Sequence, residues 1–141
     1  MSEINTQIMN AVENTLVISK TDLKGRITYA NDLFCKLTGY EREELIGKPH
    51  NLVRDPSIPK EVFKEMWQTI KSGDIWSGVF PNRGKGGVLY VVDATVQGIK
   101  NDEGEIVEYI SIRRVINDMM SDDNYKNYVE FSKKEFDAYY A

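Results

Sequence analysis

Ile4, Ile8 and Val12 recur at intervals of four, which places one apolar stripe on a short N-terminal helix. The period then changes. Residues 15–20 (TLVISK) and 26–30 (RITYA) are rich in branched apolar side chains. They flank Asp22-Leu23-Lys24-Gly25, which supplies turn chemistry, so the two segments are expected to pair as a hairpin. Asn31 or Asp32 can cap a short helix that Gly39 ends, and Glu41 to Leu45 suggests one more turn, stopped at Gly47. Residues 48–58 (KPHNLVRDPSI) show no period, and Pro49 and Pro56 interrupt regular structure there. Pro59 suits the first turn of a helix, where a missing N–H costs nothing. Val62, Phe63, Met66, Trp67 and Ile70 then share one helical face, and Gly73 closes the segment. From Ile75 the strand pattern returns: 75–81, 88–99 and 106–116 are separated by glycine turns.

Two strands, several short helices and three strands define an α+β domain: an antiparallel sheet with helices over one face. A cavity between sheet and helices is the natural ligand site of that arrangement. The 141 residues fit one domain, and 41% hydrophobic against 28% charged residues is a globular balance. A net charge of -4 leaves no basic field for nucleic acid. No apolar run approaches the roughly 18 residues of a membrane span, and the first residues lack a signal-peptide pattern, so a cytoplasmic protein is expected. One cysteine and one histidine exclude an internal disulfide and make a zinc site unsupported. Residues 117–141 differ: six acids face three lysines, and Tyr125, Tyr128, Val129, Phe136, Tyr139 and Tyr140 approximate one helical face. The expected division is therefore a flanking helix over 1–14, a core domain over 15–116 and a helical segment over 117–141.

Three stretches carry a resemblance: 25–40 (GRITYANDLFCKLTGY), the pieces GKPHNLVRDPSIPK, FKEMWQTIKSG, WSGVF and NR within 47–83, and YISIRR at 109–114. Together they resemble the PAS fold, a five-stranded antiparallel sheet cupped by helices, and are similar to the PAS domains of bacterial aerotaxis and energy-taxis receptors. The resemblance implies non-covalently bound FAD and sensing of redox state or electron flow. It also implies a homodimer formed through flanking helices, and a chemotaxis receptor or signalling domain as partner. Asn31, Arg54, Phe63, Trp67 and Asn82 match family positions associated with the flavin. The family often has RHPD where this chain has Arg54-Asp55-Pro56-Ser57. Asp55 and Ser57 thus join the candidate site as its departures from the pattern.

A flavin site needs a flat apolar slot for the ring, amides for its pyrimidine edge and a cation for its phosphates. Trp67 and Trp76 offer flat surface, Asn31 and Asn82 offer amides, and Arg54 offers charge. Each has an ordinary reading as well: core aromatics, a helix cap, a surface ion pair. The combined motif favours the ligand reading for Arg54, Trp67 and Asn82. Cys35 lies in LFCKL rather than in the Asn-Cys-Arg-Phe run of light-driven flavin adducts, so it reads as a small buried hydrophobe. His50 is the sole candidate haem ligand, and a local structural role is favoured over iron. No nucleophile–base pair or phosphate loop is present, and RGKGG at 83–87 reads as a hairpin, so the chain is expected to be no enzyme. The leading expectation is an FAD-binding redox sensor. A ligand-free PAS module for dimerisation or docking, slightly favoured by Asp55 and Ser57, is the alternative, and a haem-based gas sensor resting on His50 is the third.

Overall fold

A computed structural model describes residues 2–116. The segment expected over 117–141 lies outside the described residues. The Ser2 hydroxyl accepts from Asn5 N at 3.2 Å and opens helix α1 (Glu3–Thr15). No side chain of α1 is buried; Ile4 is 70% and Ile8 55% exposed. Strands β1 (Val17–Thr21) and β2 (Ile27–Ala30) pair antiparallel around a turn organised by Asp22, whose carboxylate accepts from Lys24 N and Arg26 N.

Helices α2 (Asp32–Thr38) and α3 (Arg42–Leu45) follow, then a 3-10 turn at His50–Val53 and helix α4 (Lys60–Lys71). Strands β3 (Trp76–Arg83), β4 (Leu89–Lys100) and β5 (Ile106–Val115) complete the chain. All five strands join one antiparallel sheet in the order β2-β1-β5-β4-β3. This is the expected α+β fold with its five strands.

The strand ends differ from the expectation by at most two residues. β3 continues through Pro81 to Arg83. The reason is geometric. Val91, opposite Pro81, gives its carbonyl to Ile116 N, so its polar groups point toward β5 and those of Pro81 point away from the ladder. The missing proline N–H therefore removes no sheet hydrogen bond. The aperiodic stretch 48–58 is also tied down, by single bridges pairing Arg26 with Pro49 and Arg54 with Asn82.

The core divides in two around the helices. Phe34, Leu45 and Val53 pack with Val17, Ile27 and Ala30 at the β1–β2 side. Ile58, Phe80, Tyr90, Val92 and Ala94, with Ile70, Val96 and Tyr109 beyond them, fill the β3–β4 side under α4. The stripe Val62, Phe63, Met66, Trp67 and Ile70 supplies the helix contacts, as its spacing predicts. Gly84 marks a close approach: a Cβ there would lie 2.7 Å from the Thr38 carbonyl oxygen, so the β3–β4 turn presses on the end of α2.

Asn31 holds the β1 side together. Its Oδ1 accepts from Ile18 N (3.1 Å) and Phe34 N (3.0 Å), and its Nδ2 donates to Glu13 O (3.1 Å) and Leu16 O (2.8 Å). One side chain thus caps α2, pins β1 and receives the end of α1. Asn31→Ala is expected to lower unfolding free energy by about 2–4 kcal/mol, a lost cap plus buried groups left unpaired. Urea denaturation of the variant checks this.

Candidate ligand-binding site

Where the two halves of the core separate, the helices and sheet enclose a cavity of about 310 Å³. Phe63, Met66, Trp67 and Ile70 of α4 form one wall. Pro49, His50, Asn51, Val53 and Arg54 of the crossing segment form another. Phe80, Asn82, Val96, Tyr109, Ser111 and Arg113 rise from the sheet, and Lys24 and Gly25 of the first hairpin complete the lining. Gly25 has a positive φ of 83°, and a Cβ on it would come within 3.0 Å of the Trp67 ring. A side chain at that position would push the indole from its place against Tyr109, where the two rings meet edge to face at 5.4 Å.

Four of the residues singled out from sequence converge here: Arg54, Phe63, Trp67 and Asn82. The bridge between Arg54 and Asn82 sets them side by side. The Arg54 guanidinium lies 4.9 Å over the Phe63 ring and donates to Ile58 O. The other four stand elsewhere. Asn31 is engaged in the four hydrogen bonds above and does not line the cavity. Trp76 packs on Phe80 at 5.7 Å, behind the lining. Asp55 accepts from Ser57 N through Oδ1 (2.8 Å) and from Arg83 Nε through Oδ2 (3.2 Å). The Asp55 carboxylate is therefore buried against a cation of its own, and Ser57 serves as its turn partner. Cys35 packs against the Phe34 and Leu45 cluster, away from the cavity.

Periodicity did not single out Lys24, Ser111 or Arg113. The signal for the last two was present in YISIRR: strand alternation puts Tyr109, Ser111 and Arg113 on one face and Ile110 and Ile112 on the other. A serine and an arginine on the inward face of a central strand mark a polar interior.

Four buried polar atoms have no hydrogen-bond partner among the described residues: Arg54 Nε, Asn82 Nδ2, Ser111 Oγ and Arg113 Nε. All four belong to residues that line this cavity. Each orphan of this kind costs about 1–3 kcal/mol, a penalty that a ligand with matching acceptors removes. Lys24, Arg54 and Arg113 are the charged side chains of the lining, and no carboxylate is among them. The set fits a flat ligand with an acceptor-rich edge and negative charge.

His50 also differs from its expected role. Instead of bonding only nearby backbone, its Nε2 lies 2.9 Å from Ser19 Oγ and 3.0 Å from Arg113 Nη2, joining β1 to β5. Arginine can only donate, so the ring accepts from Nη2, which lies 3.0 Å from Nε2 and 3.3 Å from Nδ1. Burial, and secondarily the Arg113 cation, hold the His50 pKa well below its ordinary value, so the ring is neutral. Burial also lowers Arg113 to about 10, which leaves it charged at neutral pH. A cation beside the ring nitrogens makes His50 a poor iron ligand.

A sequence profile of the PAS fold matches residues 27–113, and the chain belongs to that family. Over 101 residues it is 46% identical to the aerotaxis receptor of Escherichia coli K12, covering 72% of this chain and 20% of that protein. Over 102 residues it is 36% identical to the nitrogen fixation regulatory protein of Klebsiella pneumoniae, covering 72% and 21%. The chain thus spans about a fifth of the curated relatives it matches. A light-oxygen-voltage domain solved in a flavin-analogue study superimposes with a TM-score of 0.72 at 19% identity, covering 95% of this chain and 99% of that one. That likeness speaks for the fold.

The histidine has a consequence for stability. Its folded pKa lies below the unfolded value near 6.5, so the unfolded chain takes up a proton that the folded one refuses. This contribution is complete above pH 6.5 and is lost as pH falls toward the folded pKa. The slope reaches at most about 1.4 kcal/mol per pH unit for one proton. Urea midpoints between pH 7.5 and 5.5 should fall with acidification, and His50→Gln should flatten that part of the slope.

Proposed function

We propose that this PAS domain holds FAD non-covalently and reports its redox state to a chemotaxis-type receptor or signalling-domain partner in the cytoplasm. The observation that carries the reading is the set of four unpartnered polar atoms on the cavity lining, beside aromatic walls and three cations. Phe63 and Trp67 offer ring surface, Asn82 and Ser111 offer groups for a pyrimidine edge, and Arg54 with the exposed Lys24 offers charge for phosphates. A volume of 310 Å³ is at the low end of ligand pockets, which start near 300 Å³, and suits a flat head group with the rest of the dinucleotide at the rim. The similarity to the aerotaxis receptor and the flavin-analogue study of a fold neighbour point the same way.

When bound, the flavin supplies a ring nitrogen that accepts a hydrogen bond in one redox state and donates in the other. Asn82 can meet both by turning its amide, since its Nδ2 is held by no partner among the described residues. It pairs with Tyr90 on β4, and β4 pairs with β5 from Val92 to Lys100, so a shift at Asn82 has a path along β4 into β5. Signalling requires this difference between states, because equal contacts would shift nothing. The exposed Ile4 and Ile8 of α1 support a homodimer packed through flanking helices.

Freshly purified protein is expected to be yellow, to show flavin absorption and to release FAD on heating, identified by mass. Arg54→Ala and Asn82→Ala should each weaken FAD binding at least tenfold, about 1.4 kcal/mol. Protein that stays colourless after incubation with FAD would favour the docking module. A Soret band lost in His50→Ala would favour haem.

A further inference from the structure

Among the described residues, every charged side chain lining the cavity is a cation, and one of them is buried without a counter-ion. Arg113 is 5% exposed and takes part in no ion pair among the described residues. Its guanidinium carbon lies 5.7 Å over the Phe34 ring, its Nη2 reaches the neutral His50, and its Nε has no partner among the described residues. None of these contacts cancels its charge. Asp55, the buried acid nearest in sequence to the lining, is tied to Arg83. Arg54 differs: it is less buried and already donates to Ile58 O. Lys24 is exposed at the rim. The interior field of the cavity therefore comes chiefly from Arg113.

We propose that Arg113 makes the cavity prefer bound flavin in its reduced, negatively charged form, and so sets the potential at which the domain switches. This rests on the FAD reading above. Two electrons from a low-potential donor, with one proton from water, leave the neutral ring system one negative charge richer. With two protons the charge would not change. A guanidinium in a low-dielectric interior attracts that added charge strongly and gains nothing comparable from the neutral oxidised ring. The difference between the two forms is what shifts the equilibrium. Packing on Phe34 and bonding to His50 need only a planar donor of this length, so the charge itself is the feature that calls for a function.

The test is a midpoint potential, read from absorbance while FAD-loaded protein is titrated with dithionite, the electron donor, against a reference dye. The wild-type midpoint should be more positive than that of free FAD in the same buffer. Arg113→Gln, which keeps hydrogen-bond donors and removes the charge, should lower it by about 30 mV or more, a tenfold loss of preference for the reduced form in a two-electron couple. Arg113→Lys, which keeps the charge, should stay nearer the wild type. A wild-type midpoint at or below that of free FAD overturns the proposal, as does a retained flavin with an unchanged midpoint in Arg113→Gln. If Arg113→Gln fails to fold or to keep FAD, the comparison of wild type with free FAD and the Arg113→Lys value decide. Wild-type protein that takes up no FAD overturns the functional reading itself and this proposal with it, an outcome distinct from bound flavin with an unshifted potential.

Discussion

The fold is governed by a distance that the chain has to cross. β2 and β3 follow one another in sequence but stand at opposite ends of the sheet order. Residues 31–75 must therefore span four strand spacings, about 19 Å at roughly 4.8 Å each. They can do so only over a face, and α2, α3, the 3-10 turn and α4 are the material laid down on the way. α2 and α3 settle on the β1–β2 side and α4 on the β3–β4 side, and the cavity is the gap between these two seats. Its polar lining has two origins for the same reason: His50 and Arg54 ride on the crossing, while Asn82, Ser111 and Arg113 belong to the sheet beneath.

Much of this was legible in the chain itself. The stripe from Val62 to Ile70 and the change of period at Ile75 are local signals, and the elements formed where they indicated. Arg54, Phe63, Trp67 and Asn82 were legible as a motif, and the cavity brings them together. Asn31 was ambiguous between cap and ligand because an amide serves either, and only the positions of Glu13, Leu16 and Ile18 around it decide how it is used. The contact between Arg113 and His50 was opaque for a deeper reason. They are 63 residues apart, and no local pattern announces that a mid-strand arginine will meet a loop histidine.

Asp55 illustrates how a departure from a motif is absorbed. An acid at this position would oppose an anionic ligand if it faced the cavity. Here the carboxylate closes a turn on Ser57 and binds Arg83, a residue at the far end of β3. That leaves the cavity lining free of negative charge and fastens the crossing segment to the strand that carries Asn82. Arg83 is the residue that holds the carboxylate in that place.

The strand order also has a kinetic meaning. β5 is last in sequence among the described elements yet sits between β1 and β4 at the centre of the sheet. Val17 pairs with Arg113, a contact between opposite ends of the domain. Until β5 arrives, the β1–β2 and β3–β4 hairpins have no shared strand, and neither Ser111 nor Arg113 is in place. β5 joins β4 locally through the turn at residues 101–105, whereas its pairing with β1 closes a loop of nearly the whole domain and is the slow step relative to either hairpin. The β1–β5 pairing is therefore the step that joins the two halves of the sheet and brings His50 of the crossing segment against Arg113.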